Sequence, residues 1–197
     1  MKLTASLPAA LTAPSRQFFA LWDGWRRGRL LPHRRDIDTA ALGALLPYCF
    51  LLEIRSHDRM PICFAGSAIH AILGEELTGR NYLDLTEPQN RARRAALLLA
   101  EAAQPCAAVI YYWLRDETGG LLPVELVSAP LLADTATEGS ASATLILACA
   151  SPLMRGGAPD DVIPDSYAEG EGLRYIDIGA GIPPLTGSMP LQAQQVQ

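Results

Sequence analysis

The segment spanning residues 62–85 restricts the fold of this 197-residue chain more than any other stretch. It opens with a short apolar run of strand character, which breaks at Gly66. A helical face follows, with apolar residues at the i, i+3 and i+4 positions (Ile69, Ile72 and Leu73), and Gly74 is placed to end that helix. These elements are too short for a parallel crossover, which takes about a dozen residues or more, so they do not indicate a β-α-β unit.

Strand-like runs on both sides of this segment indicate an α+β protein. Upstream, residues 48–54 and 62–64 form a predicted hairpin around a polar turn. Downstream, strong helix formers from Glu87 to about Gln104 predict one long helix, which ends at Pro105. Further strands are predicted over residues 107–114, 122–128 and 143–150. Runs of strands, rather than a strict alternation with helices, favour the α+β class.

The N-terminal region predicts a helix with a serine cap at Ser15 and a stop at Gly28. One stripe of this helix carries large apolar side chains, which are Phe18, Leu21, Trp22 and Trp25. Such a stripe has to be buried. Two arrangements satisfy it, packing on the sheet of the same chain or packing on a second copy, and the four residues are therefore candidates for a dimer interface.

A basic segment follows this helix. Five arginines and one histidine lie within ten residues: Arg26, Arg27, Arg29, His33, Arg34 and Arg35. Taken alone, the segment is typical of a nucleic-acid surface. However, Asp36 and Asp38 offset its charge and no recognition-helix pattern follows, so we predict a solvated face with local Arg–Asp pairs. A docking surface for an acidic partner protein stays open as the alternative.

Two motifs carry a family resemblance. The sequence AGSAIHAILGEELTGRNYLDL at residues 65–85 resembles the middle of a PAS domain. Together with LWDGWRRGRLLPHRRDID at residues 21–38, it resembles the bacterial PAS_5 group of small single-PAS proteins. The resemblance covers roughly residues 18–152. It implies a PAS fold, in which a five-stranded antiparallel sheet carries short helices on one face, and flanking helices that often pair subunits.

The same resemblance implies a division of the chain. Residues 1–13 are a predicted flexible lead-in, residues 14–47 an N-terminal helical extension, residues 48–153 the PAS domain, and residues 154–197 an irregular tail rich in Gly and Pro. Proteins of this kind resemble one-domain sensors or adaptors. The resemblance therefore implies a fold and a style of action but no particular ligand.

Composition limits the partners and the compartment. The formal net charge of −5 argues against a nucleic-acid or anionic-membrane surface. No run approaches the roughly 20 apolar residues of a membrane-spanning helix, and the N-terminus is a poor secretory signal. The four cysteines form no C-x-x-C pair. We therefore expect a cytoplasmic homodimer with reduced structural cysteines, no metal, no nucleic acid, no membrane association, and a signalling protein as partner.

No catalytic constellation is visible in the sequence. His33, His57 and His70 share no motif with a serine or cysteine nucleophile. The sequence YIDIGAGIP at residues 175–183 resembles a methyltransferase nucleotide loop, but the prolines that end it prevent a continuing helix. We expect no enzymatic activity. Known PAS cofactors also fit poorly, because the long helix has no histidine for haem and no reactive-cysteine motif for flavin is present.

A small apolar pocket is the remaining candidate site. The lid residues Ile69, Leu73, Leu77 and Tyr82 are predicted to face Tyr111, Trp113 and Cys149 of the sheet. Glu125 is a candidate polar anchor, because a carboxylate among apolar neighbours needs water or a partner. In the alternative, the apolar residues are ordinary core and Glu125 lies on the solvent face.

The functional hypothesis is a non-enzymatic PAS sensor or signalling module. It binds an unidentified small ligand or a partner protein and acts through its dimer, by a shift in how the flanking helices pack. The first alternative is an interaction adaptor with a filled core and no ligand, which the absence of a spacious cavity would favour. A small enzyme is the more distant alternative.

Overall fold

A six-stranded antiparallel sheet forms the centre of the protein. The structure, a computed structural model, describes residues 7–8, 11–86, 88–115, 117–135, 144–153 and 172–184. The strands lie in the spatial order β2-β1-β5-β4-β3-β6, and all neighbours pair antiparallel. Their bounds are Cys49–Glu53 (β1), Ile62–Ala65 (β2), Ala107–Arg115 (β3), Leu121–Leu131 (β4), Leu145–Pro152 (β5) and Gly172–Ile176 (β6).

Helices precede β1 and fill the connection between β2 and β3. The α-helices are Ala13–Arg26 (α1), Thr39–Leu42 (α2), Ser67–Leu73 (α3) and Arg91–Ala103 (α4). Turns of 3-10 helix are Arg34–Asp36, Gly43–Tyr48, Tyr82–Leu85 and Pro88–Asn90. Gly74 ends α3 with a φ of +69°, a left-handed conformation that glycine adopts without a steric penalty. The predicted order of a hairpin, inserted helices and three further strands is confirmed.

Both faces of the sheet are covered. On one face, α1 packs against the sheet and forms an apolar core with residues such as Leu51, Val127 and Leu147. On the other, α3, the turn Tyr82–Leu85 and α4 pack against neighbours such as Leu52, Leu126 and Ile146. We call these faces the α1 side and the lid side. Successive strand residues point to opposite faces, so the two cores draw on alternate residues of the same strands.

The first turn of α1 differs from the prediction. The helix begins at Ala13, and its cap is Thr12 rather than Ser15. The Thr12 hydroxyl accepts a hydrogen bond from the Ser15 N–H at 3.4 Å, as an N-cap side chain does. Pro14 lies inside the first turn, where its missing N–H would have had no helical partner. At the other end, Arg27 and Gly28 take left-handed conformations and stop the helix, as predicted for the glycine.

The aromatic stripe of α1 is buried within its own chain. Phe18 and Trp22 are completely buried and Trp25 is 9% exposed, all in the core of the α1 side. The indole N–H of Trp22 donates to the Pro130 carbonyl at 3.1 Å. Leu21 is half-buried. Packing on the sheet of the same chain is thus the arrangement observed, and the buried members of the stripe are not exposed to form an interface with a second copy.

The sheet extends beyond its predicted ends in two places. Strand β4 continues through Pro130, where the sequence predicted a stop. Pairing of β4 with β3 ends at Ser128, so the missing N–H of Pro130 is not needed by a neighbour on that side. Strand β6 arises from the segment assigned to the irregular tail and pairs with β3 from Ala107↔Ile176 to Tyr111↔Gly172. A sixth strand therefore covers the β3 edge.

The basic segment is mostly a local network. Arg29 forms an ion pair with Asp36, and Arg26 bonds to Asp23 at 2.6 Å, so the predicted Arg–Asp pairing is present. The prediction of a fully solvated face is wrong for Arg26, which is 6% exposed. Its guanidinium lies over Trp22, 5.5 Å from the ring centroid, and donates to the Ile178 carbonyl at 3.0 Å. It thereby ties the end of α1 to the chain after β6.

Candidate functional site

The predicted pocket residues lie on two different faces of the sheet. Ile69, Leu73, Leu77 and Tyr82 all pack on the lid side. Tyr111 and Cys149 belong to the core on the α1 side. Trp113 and Glu125 share their orientation by strand alternation, since they stand two residues from Tyr111 and from Val127 respectively. The prediction that these two sets face each other across one pocket is therefore wrong.

The prediction is wrong because the alternation of side chains along a strand does not show which face of the sheet each set of side chains occupies. In an antiparallel sheet with one wet face, polar residues mark the solvent side. Here β4 carries Val124 and Leu126 toward the lid and Val127 and Ala129 toward α1, so both faces read as apolar. A shift of one residue in the register of a strand moves all its side chains from one face of the sheet to the other, and the sequence contains no polar residue that would exclude the shifted register.

A small cavity does lie on the lid side, between α4 and the sheet. Its polar lining consists of Tyr82, Arg94, Glu101, Ser128 and Tyr175, and its apolar lining includes Phe50, Leu98, Ile110 and Ile146. The cavity has a volume of about 20 Å³, which is room for about one water molecule. Tyr82 alone belongs to both this lining and the predicted pocket.

Glu101 is the buried carboxyl group of this cavity. It projects from α4, is 2% exposed, and accepts a hydrogen bond from the Ser128 hydroxyl at 2.9 Å. Burial raises the pKa of its carboxyl to about 8, and the bond from Ser128 opposes that rise only in part. The carboxyl is therefore mostly protonated at neutral pH and can donate as well as accept a hydrogen bond.

Other polar side chains surround Glu101. Arg94, seven residues earlier on α4, donates to the Tyr82 hydroxyl at 3.4 Å, and Tyr82 stacks on Phe50 with ring centroids 5.9 Å apart. Tyr175 of β6 donates through its hydroxyl to the Leu97 carbonyl at 2.9 Å. The wall of the cavity thus includes the C-terminal strand, and any molecule bound there would contact α4 and β6 together.

Glu101 was not among the predicted site residues, although the sequence contains a signal for it. Arg94, Leu98 and Glu101 are spaced i, i+4 and i+7, which places them on one face of a helix. Leu98 marks that face as the buried one. A glutamate on the apolar stripe of a helix needs a partner or a raised pKa. The helical period of α4 therefore marks Glu101 as a buried residue.

Glu125 has a structural role on the α1 side. It is completely buried, and its carboxylate accepts hydrogen bonds from the Thr12 hydroxyl at 2.5 Å and the Thr12 N–H at 3.1 Å. Tyr111 lies directly opposite on β3; burial and the hydrogen bond to Glu125 raise the pKa of its phenol. The partner that the sequence required for Glu125 is therefore the first turn of α1, whose helix dipole also favours a negative charge.

Replacing Thr12 with alanine tests this clamp between Glu125 and α1. The change removes the helix cap and the hydroxyl donor to the buried carboxylate, so we expect the free energy of unfolding to fall by about 1–2 kcal/mol. Urea denaturation followed by circular dichroism measures it.

Thr39→Ala is the matched control for Thr12→Ala. Thr39 is exposed at the start of α2, where Asp38 provides the cap, so this variant should remain within about 0.5 kcal/mol of the native protein. Equal effects of the two substitutions would contradict the assignment of Thr12 as a clamp.

The architecture defines the class of the protein. An antiparallel sheet with its helices inserted between the second and third strands, packed on one face over a small cavity, is the arrangement of a PAS domain. The PAS_5 family model, described as a PAS domain, matches residues 11–146, which is more than half of the chain. The chain belongs to the PAS_5 family, and PAS domains are typically sensory or signalling modules. Strand β6 lies outside the matched residues.

Solved structures that resemble the chain are also PAS and LOV domains. The LOV protein of Rhodobacter sphaeroides is 13% identical, with a TM-score of 0.43, over 55% of this chain and 60% of that one. The PAS domain of a Haloarcula marismortui HTR-like protein is 14% identical, with a TM-score of 0.39, over 58% and 91%. This chain spans less than two thirds of the LOV protein. At such identities the likeness concerns the fold alone.

A comparison with curated protein sequences gives no match. Two further findings describe the chain itself. None of the helices within the described residues is long and apolar enough to cross a membrane. Within the same residues, no group of three or more His, Cys, Asp or Glu side chains is placed to hold a metal ion.

Proposed function

We propose that this PAS_5 protein is a non-enzymatic signalling module that works by protein–protein contact, with a core filled by its own side chains. The size of the lid-side cavity carries the proposal. Pockets for small molecules typically measure about 300–1,000 Å³, whereas this cavity holds about one water molecule. Of the three functional hypotheses drawn from the sequence, the adaptor with a filled core is the one that this volume supports.

A ligand sensor is the second candidate, and Glu101 favours it. A buried carboxyl, a serine hydroxyl and an arginine converge on one cavity of a PAS domain. A protonated Glu101 could donate to a carbonyl or accept from an amide or hydroxyl of a small polar molecule. In this candidate the ligand displaces the apolar side chains of α4 that now occupy most of the space between α4 and the sheet.

We further propose that the module acts as a cytoplasmic homodimer, in which α1 and β6 fold together with residues 48–153. Since the aromatic stripe is internal, a dimer formed through α1 would use its outer face. That face presents Gln17, Ala20 and Gly24, all exposed, at spacings of three and four residues. Small residues allow two helices to approach closely, and a Cβ added to Gly24 would meet no atom within 4 Å.

Native mass spectrometry of the freshly purified full chain, with an absorption spectrum of the same sample, tests these proposals. We expect the mass of a dimer without an additional bound molecule, because the cavity has no room for one. A stoichiometric bound mass or visible absorbance would overturn the filled-core proposal in favour of the sensor. A monomer would overturn the dimer proposal.

Ala20→Arg locates the interface if a dimer is found. A long charged side chain on the outer face of α1 should shift the protein to the monomer, with its circular dichroism spectrum unchanged. Ala40→Arg is the matched control, since Ala40 is equally exposed but lies on α2. Dimers of equal stability in both variants would show that the interface lies elsewhere.

A further inference from the structure

Cys49 and Cys149 lie side by side in the core beneath α1. They are register partners on the neighbouring strands β1 and β5. Both side chains belong to the core on the α1 side, neither exposes any surface, and both are free thiols. Register partners on an antiparallel pair point to the same face, so the two sulfur atoms are immediate neighbours.

The backbone hydrogen bonds show which kind of pair they form. The Cys49 carbonyl accepts from the Gly66 N–H at 2.8 Å, so the polar backbone groups of Cys49 point away from β5. At the other end of the β1–β5 ladder, the Ile54 N–H donates to the Thr144 carbonyl at 2.8 Å. The two kinds of pair alternate along an antiparallel ladder, and Ile54 lies five residues, an odd number, from Cys49. Cys49 and Cys149 are therefore a non-hydrogen-bonded pair.

This kind of pair brings two cysteines within bonding range. In a non-hydrogen-bonded pair the Cα atoms lie about 4.5 Å apart and the side chains approach most closely. Disulfides span Cα separations of about 4.4–6.8 Å. Non-hydrogen-bonded pairs therefore typically place their Cα atoms at the short end of the range for a disulfide.

The surroundings of the pair also favour reaction at Cys149. The Cys49 thiol donates to the Leu45 carbonyl at 3.3 Å. Contact with the Cys49 sulfur and a hydrogen bond from Ser151 lower the pKa of the Cys149 thiol, against the opposing effects of burial and of the nearby Glu125. The other two cysteines lie in different surroundings, where burial raises the pKa of Cys63 and of Cys106. A thiolate is the nucleophilic form of cysteine, so within the pair we assign the attack to Cys149.

We propose that Cys49 and Cys149 form an oxidation site, at which a hydroperoxide converts the two thiols into a cross-strand disulfide. The Cys149 thiolate attacks the terminal peroxide oxygen; the O–O bond breaks, a sulfenic acid forms on Cys149, and the remaining oxygen leaves as an alcohol or water after taking up a proton. The Cys49 sulfur then attacks the Cys149 sulfur, and the S–O bond breaks to release water. Overall, the thiols lose two electrons and two protons, and the peroxide accepts both.

The docking of α1 controls access to this site. The pair has no exposed surface, and α1 forms the outer layer of the core that contains it. The clamp on α1 is close by, because Glu125 is the register partner of Ser151, two residues after Cys149 on β5. A hydroperoxide therefore reaches the sulfur atoms when α1 moves away from the sheet, and the rate of oxidation follows how often that occurs.

Mass spectrometry of the protein after treatment with hydrogen peroxide tests the site. The variant Cys63→Ala/Cys106→Ala leaves only the pair, and the further change Cys49→Ala is the matched control. We expect the first variant to lose two hydrogen atoms and to yield a linked peptide containing both cysteines, reversed by dithiothreitol. A sulfinic acid on either residue without the linked peptide, or no reaction at all, would overturn the proposal.

Thr12→Ala in the Cys63→Ala/Cys106→Ala variant tests whether the docking of α1 limits access to the cysteine pair. Loosening the clamp should speed formation of the disulfide by about 5- to 30-fold, in line with a destabilisation of one or two kcal/mol. Thr39→Ala should leave the rate unchanged. Equal rates in all three proteins would show that the oxidant reaches the pair without movement of α1, and that part of the proposal would fail.

Discussion

Replacing Trp22 with alanine is expected to lower the free energy of unfolding by about 3–5 kcal/mol. Trp22 is completely buried between α1 and the sheet, and its indole N–H donates to the Pro130 carbonyl. The substitution leaves a large cavity in the core of the α1 side and an unpaired carbonyl. It also removes the ring on which the buried Arg26 guanidinium lies. Urea denaturation measures the loss.

The same variant separates the two roles that the sequence left open for the aromatic stripe. Loss of a core side chain destabilises each chain by itself, so the free energy of unfolding should be lowered by the same amount at every protein concentration. Replacement of a residue at a subunit interface would instead yield a monomer, and the loss of unfolding free energy would depend on protein concentration. Thr39→Ala, an exposed change outside α1 and its proposed dimer face, is the matched control and should stay within about 0.5 kcal/mol. A loss no larger than that control would contradict the core role.

Replacing Glu101 with glutamine is expected to stabilise the protein above neutral pH. In the folded state, burial raises the pKa of this carboxyl from 4.5 to about 8. Between these values the folded chain keeps the proton that the unfolded chain releases, so the stability of the native protein falls as pH rises. Each pKa unit corresponds to about 1.4 kcal/mol, which sets an upper limit of about 5 kcal/mol on the total loss.

Glutamine retains the shape of the side chain and an acceptor for the Ser128 hydroxyl, but it never ionises. The native protein and Glu101→Gln should therefore be about equally stable near pH 4, and the variant should gain progressively up to about pH 8. Urea denaturation at several pH values measures the difference in unfolding free energy between the two proteins. The contributions of the other titrating groups are the same in both and cancel. Glu117→Gln, which changes an exposed carboxyl, is the control and should show no such trend. A variant that is less stable at pH 8.5 would mean that Glu101 is ionised and paired.

The local elements were predictable because their signals lie within a few residues. Ile69 and Leu73 mark one helical face, and Gly74 ends that helix, so α3 follows from spacing and from one left-handed residue. The aromatic stripe of α1 required burial, and the runs of strands without strict alternation with helices gave the α+β class. Family resemblance then supplied the PAS fold and its antiparallel sheet.

The faces of the strands were not predictable by the same means. Tyr111 and Cys149 were assigned to the lid side, and the structure places them under α1. Both faces of β3, β4 and β5 are apolar because a helical layer covers each of them, so no polar residue marks a direction. The same covering hides the role of Glu125, whose partner Thr12 lies 113 residues away in the chain.

The sequence by itself therefore determined the elements, the fold family and the need to bury the α1 stripe. Tertiary structure decided which chain buries that stripe, which residues line the cavity, and where β6 docks. These depend on contacts between distant segments: Glu101 meets Ser128 across 27 residues, and Cys49 meets Cys149 across two strands. Periodicity specifies which residues share a face of one element, whereas packing between elements specifies what that face meets.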